Sequence, residues 1–81
     1  MEIIRKEELK PVHDSRKSFY KKAWVKYADN GDIILQSYST DIATLHADGS
    51  FEFEKYSYTS NRHLYEFMLQ FGIDTKLYKT K

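Results

Sequence analysis

The spacing of apolar positions along this chain changes once, from a period of two to a period of 3.6, near residue 57. From Tyr56 to Gly72 (YSYTSNRHLYEFMLQFG), Leu64, Phe67, Met68 and Phe71 fall at i, i+3, i+4 and i+7, which a helix gathers into one stripe. Arg62, Glu66 and Gln70 then point the other way. Thr59 or Ser60 can accept a hydrogen bond from a free N–H of the first turn, and Gly72 can take the left-handed conformation that stops a helix. The spacing therefore predicts a helix over 60–71, with Ile73 under its end. The stripe needs an apolar surface to lie on, and only a sheet built from the preceding residues can supply one.

Residues 19–27 predict the first strand. Its odd face carries Phe19, Ala23, Val25 and Tyr27, with Lys21 the exception, and suits a core; its even face alternates Tyr20, Lys22, Trp24 and Lys26. Asn30-Gly31, between two apolar runs, predicts a tight hairpin whose two central residues have positive φ, leading to a strand at 33–38. Ser39-Thr40-Asp41 reads as a corner and 42–46 as a short strand. Ala47-Asp48-Gly49-Ser50 is a second tight turn before a strand at 51–58, with Phe51 and Phe53 on one side. Residues 2–10 (EIIRKEELK) fit either a helical turn or two or an edge strand, and Pro11 breaks the polar segment that follows. The expected fold is α+β, a three- to four-stranded antiparallel sheet packed by one C-terminal amphipathic helix. Residues 1–18 form a polar, least ordered segment, 19–73 the domain and 74–81 a basic tail.

Eighty-one residues allow one domain and a small core, so a partner or a homodimer can add to the stability of a monomer of this size. The absence of cysteine excludes disulfides and thiolate metal sites. No apolar run approaches a membrane span and the first ten residues are too charged for a signal peptide, which predicts a soluble, cytoplasmic protein. The formal charge of +1 hides a segregation: residues 1–27 hold eight Lys/Arg against four Asp/Glu, 28–55 one against six, and 56–81 four against two. Two like-charged faces, or neutralisation between neighbouring strands, both follow from that order.

Four features carry candidate chemistry. The Tyr20, Lys22, Trp24, Lys26 face can stack bases while its lysines neutralise phosphates, or anchor a protein interface, or lie under the helix with its lysines reaching past the rim. The acidic middle, with Asp29, Asp32, Glu52 and Glu54 beside Asp41 and Asp48, can mimic a phosphate array or engage a basic groove. Thr59, Ser60, Arg62 and His63 sit where a helix start can hold a phosphate or carboxylate, or simply form a cap. His13, Asp14, His46, Asp48 and His63 are the side chains from which a zinc site could be assembled, though their spacing follows no known motif. No cofactor other than that zinc is indicated. With no cysteine, no serine elbow and no paired carboxylates at a forcing spacing, an enzyme is not expected.

Four pieces of the chain resemble a small family of uncharacterised proteins of phages, prophages and Gram-positive bacteria, whose patterns are SFYxKA, LxSYxTxVA, YSxTT and RHxxEF followed by glycine. Here they are Ser18-Phe19-Tyr20-Lys21-Lys22-Ala23, Leu35 to Ala43, Tyr56 to Ser60, and Arg62-His63-Leu64-Tyr65-Glu66-Phe67 with Gly72, spread over residues 18–72. Lys21 stands where the pattern has a small residue and Ser60 where threonine is commoner. The resemblance supplies no catalytic residues. It implies a mobile-element protein, and with it a non-enzymatic inhibitor of a host defence or nucleic-acid enzyme, including an anti-CRISPR protein bound to a Cas effector. A single-stranded nucleic-acid-binding module and a sponge for a small anionic nucleotide are the alternatives.

Overall fold

The computed structural model describes residues 2–12, 21–54 and 58–74, with side chains from Asn61 onward in the last segment. Expectations that fall on Phe19, Tyr20, the 13–17 loop and the 75–81 tail lie outside these residues. Five strands, β1 (Ile3–Glu8), β2 (Ala23–Ala28), β3 (Ile33–Ser37), β4 (Thr40–Leu45) and β5 (Phe51–Phe53), form one antiparallel sheet in the order β1-β2-β3-β4-β5. Helix α1 (Tyr58–Gln70) lies against β3 and β4. The sheet thus has five strands rather than three or four, because the Ile3–Glu8 segment pairs with the otherwise open edge of β2. The architecture is α+β.

One layer of apolar side chains holds helix to sheet. Leu64, Phe67 and Met68 are fully buried, and they meet Ala23 and Val25 of β2, Leu35 of β3, Ala43 of β4 and Phe53 of β5. Cross-strand pairing of Val25 with Leu35, Leu35 with Ala43, and Ala43 with Phe53 brings those residues onto one face. Phe67 stacks on Phe51 at 6.2 Å and packs at a tilt against Phe71 at 4.6 Å. The helix ends as its glycine predicts: Gly72 takes φ +70°, its N–H donates to Leu69 O, and Ile73 N–H donates to Met68 O at 2.8 Å. Ile73 packs on the core.

Several boundaries differ from the sequence expectation, each for a local reason. β2 starts at Ala23 rather than at residue 19, because Lys21 takes φ +60° and breaks the extended run. β4 starts at Thr40: Tyr38 takes φ +58°, Ser37 pairs with Thr40 and Gln36 with Asp41, and a bulge at Ile42 absorbs the extra residue. Neither hairpin glycine makes a two-residue turn with two positive φ values. In the first, Gly31 alone has positive φ and Ala28 N–H donates to Asp32 O, which gives a three-residue loop. The helix begins at Tyr58, so Thr59 and Ser60 fall inside its first turn rather than at its cap. Glu66 does not face water. It is 2% exposed and accepts a hydrogen bond from Gln70, whose amide also donates to the Lys10 carbonyl, because the chain after β1 runs beside the helix.

Candidate binding surface

The face of the sheet away from the helix carries the even residues of β2, but most of them are already engaged. Lys26 reaches across β3 to an ion pair with Asp41 of β4, and its register partner Ile34 is only 4% exposed on that face. Trp24 is half-buried, donates from Nε1 to the Lys21 carbonyl at 3.0 Å, and has Lys6 Nζ 4.9 Å above its ring. Lys22 is exposed beside the Tyr38 ring at 5.7 Å. Tyr20 is outside the described residues. The helix therefore does not cover this face; neighbouring strands engage it instead, Asp41 of β4 neutralising Lys26 and Lys6 of β1 covering the Trp24 ring. Lys6 and Asp41 lie far from the stripe along the chain on either side, and strand order is the signal that would have found them.

The acidic residues divide into those that build turns and those that remain on the surface. Asp29 Oδ1 accepts the Glu2 N–H, pinning the start of β1. Asp32 Oδ1 accepts the Ala47 N–H and Oδ2 meets His46 Nδ1 at 3.2 Å, so one carboxylate joins the two hairpin loops. Asp48 accepts both the N–H and the hydroxyl of Ser50, and that pairing holds its pKa below the usual carboxylate value. Glu52 Oε2 lies 2.7 Å from His46 Nε2. Asp41, Glu52 and Glu54 line an open groove of about 420 Å³ along β4 and β5, with Thr44, Phe51 and Phe53 between them. The Glu54 carboxylate makes no hydrogen bond or ion pair among the described residues, and its N–H donates to Ile42 O.

His46 and His63 are not brought together. His63 is 1% exposed, with Nδ1 2.8 Å from the Ser37 hydroxyl at the end of β3, and its ring lies tilted against Tyr38 at 5.9 Å. His46 sits beyond the opposite end of that strand, between Asp32 and Glu52. The hydrogen bond that His46 donates to Glu52, helped by Asp32 and opposed by partial burial, raises the His46 pKa above its ordinary value. Asp48 makes its hydrogen bonds within its own turn, and His13 and Asp14 lie outside the described residues. Among those residues no group of three His, Asp or Glu side chains is placed to hold a metal ion. The expected zinc set is therefore not assembled from His46, Asp48 and His63. At the helix start, the buried His63 ring is spent on Ser37 and Tyr38, Arg62 is half-buried, and the side chains of Thr59 and Ser60 are not described.

No helix among the described residues is long and apolar enough to cross a membrane. A small five-stranded α+β domain with an acidic groove on its final edge is the class of structure that results. Residues 7–81 match the model of a family of unknown function (DUF8033), and the chain belongs to that family. No curated protein and no solved structure matches it.

Proposed function

We propose that this is a non-enzymatic binding protein that grips a basic macromolecular surface along the β4–β5 edge. We further propose that it is a mobile-element inhibitor of a host defence or nucleic-acid enzyme, with a CRISPR nuclease as the first target class to try. The observation that carries the reading is the open groove along β4 and β5, where Asp41, Glu52 and Glu54 lie beside Thr44, Phe51 and Phe53. Such a surface attracts a basic patch at long range and desolvates an apolar anchor at contact. The mobile-element assignment rests on the resemblance over residues 18–72.

Co-purification from the natural host tests it, with Glu54→Lys as the control because that carboxylate makes no hydrogen bond or ion pair among the described residues. The expected result is one stoichiometric, basic protein with the wild type and its loss with Glu54→Lys. A partner retained unchanged by Glu54→Lys, or no stoichiometric partner at all, would overturn the reading.

A further inference from the structure

β1 differs from every other strand in how it is held. Ile3 to Glu7 are exposed on both faces, and Ile4 is 68% exposed. What fixes the strand is its ladder to β2, the Tyr27 hydroxyl donating to Glu7 at 2.9 Å, Arg5 over the Tyr27 ring at 4.6 Å, and Lys6 over Trp24. Leu9 N–H donates to Ala23 O, and in an antiparallel ladder such bonds alternate. Leu9, Glu7 and Arg5 therefore turn their main-chain groups toward β2, whereas Lys6 and Glu8 turn theirs away from the sheet. An edge of this kind is a template for another strand.

We propose that β1 pairs antiparallel with β1 of a second copy of this chain, about a two-fold axis at Lys6, so that two five-stranded sheets become one. Symmetry and charge select this occupant and this register together. A two-fold axis normal to the sheet leaves each face on its own side, so it must pass through a residue paired with itself. Any centre on a charged residue sets that residue opposite its own copy. Centred on Lys6, it sets Arg5 of each copy opposite Glu7 of the other, twice, on the face that bears Tyr27. Within one chain Arg5 and Glu7 already meet at 2.8 Å, so the second copy closes a ring of four alternating charges between the two Tyr27 side chains. The two Lys6 ammonium groups are drawn off the axis, each onto its own Trp24. The outward main chain of Lys6 supplies the central pair of hydrogen bonds.

Sedimentation of the full chain tests this independently of any partner at the β4–β5 groove. Edge pairing without layered packing makes a small interface, so the mass should rise from one chain toward two between about 10 μM and 1 mM. Lys6→Pro, which removes the outward N–H, should stay at one chain with an unchanged circular dichroism spectrum. Arg5→Glu should weaken dimerisation about tenfold or more, and the exchange Arg5→Glu with Glu7→Arg should restore it. Because the chain has no cysteine, Lys6→Cys reads the register directly: oxidation should give a covalent dimer, and Glu8→Cys should give none. A single-chain mass at every concentration overturns the proposal. So does a dimer indifferent to Arg5→Glu, or a cross-link at Glu8→Cys in place of Lys6→Cys.

Discussion

The two ends of the sheet reach the same unusual backbone region by different means. At one end the loops Ala28 to Asp32 and His46 to Ser50 are built alike. Gly31 N–H donates to Ala28 O and Gly49 N–H to His46 O, each glycine takes φ near +94° (+93° and +94°), and Asn30 and Asp48 each accept the N–H two residues on. At the other end Lys21 and Tyr38 take φ +60° and +58° with side chains that resist it. There the conformation is held by contacts: Trp24 donates to Lys21 O and Glu8 accepts Lys21 N–H, while Gln36 donates to Tyr38 O at 2.7 Å and Tyr38 N–H donates to Lys22 O at 2.6 Å. Glycine makes a turn cheap, and tertiary contacts make one possible without it.

The scale for testing that difference comes from the core that both ends share. Phe67 is fully buried between Phe51 and Phe71, so Phe67→Ala should cost about 3–5 kcal/mol in chemical denaturation. A loss below about 1 kcal/mol would mean that the helix stripe is not the core.

At the glycine end, alanine should cost less and unequally. A Cβ on Gly49 meets nothing within 4 Å, so Gly49→Ala pays only for its positive φ, about 1 kcal/mol. A Cβ on Gly31 stands 3.0 Å from the Ala47 Cβ, so Gly31→Ala should cost about 2 kcal/mol, and adding Ala47→Gly should bring it back toward the Gly49→Ala value. Equal costs would show that the two loops do not touch.

The glycine end also carries a pH dependence. The His46 pKa is raised by Glu52 and Asp32, so its stabilisation is complete below the ordinary value of 6.5 and is lost as pH rises through the raised value. Asp48 is shifted downward, so its contribution is present above the usual carboxylate range and fails only in acid. Compared with His46→Gln, the wild type should therefore lose part of its melting-temperature advantage between about pH 6 and pH 9. A constant difference between the two proteins across that interval would remove the bridge from the account.

Residues whose role is set by near neighbours were legible in the chain. Leu64, Phe67 and Met68 declare the helix face, Gly72 its end, Val25 and Ala23 the buried side of β2, and Gly31 and Gly49 the places of two hairpins. Residues whose role is set across the sheet were not. β1 is exposed on both faces and so shows neither period, Glu66 is covered by a segment that joins it only in space, and Lys26 of β2 meets Asp41 and Trp24 meets Lys6 through strand order. The candidate surface suffered in the same way. His46 takes Asp32 and Glu52 as partners rather than the nearer Asp48, because β5 and the first loop flank it.

Lys21 gives the finest test of the contrast between the ends. The resembling pattern has a small residue at this position, and φ +60° is the backbone region in which a residue without a Cβ meets least resistance. Lys21→Gly should relieve about 1 kcal/mol of backbone strain and lose about 0.5–1 kcal/mol to the freer unfolded chain. The contacts to Trp24 and Glu8 use the Lys21 main chain and survive the change. The net effect should therefore lie between zero and about 0.5 kcal/mol of stabilisation, read as a small rise in the denaturation midpoint. A loss of more than about 1 kcal/mol would mean that the lysine side chain itself holds this end together. A gain well above that size would mean that the contacts around Lys21 carry more strain than they relieve, and that the two ends of the sheet are held in unequal measure.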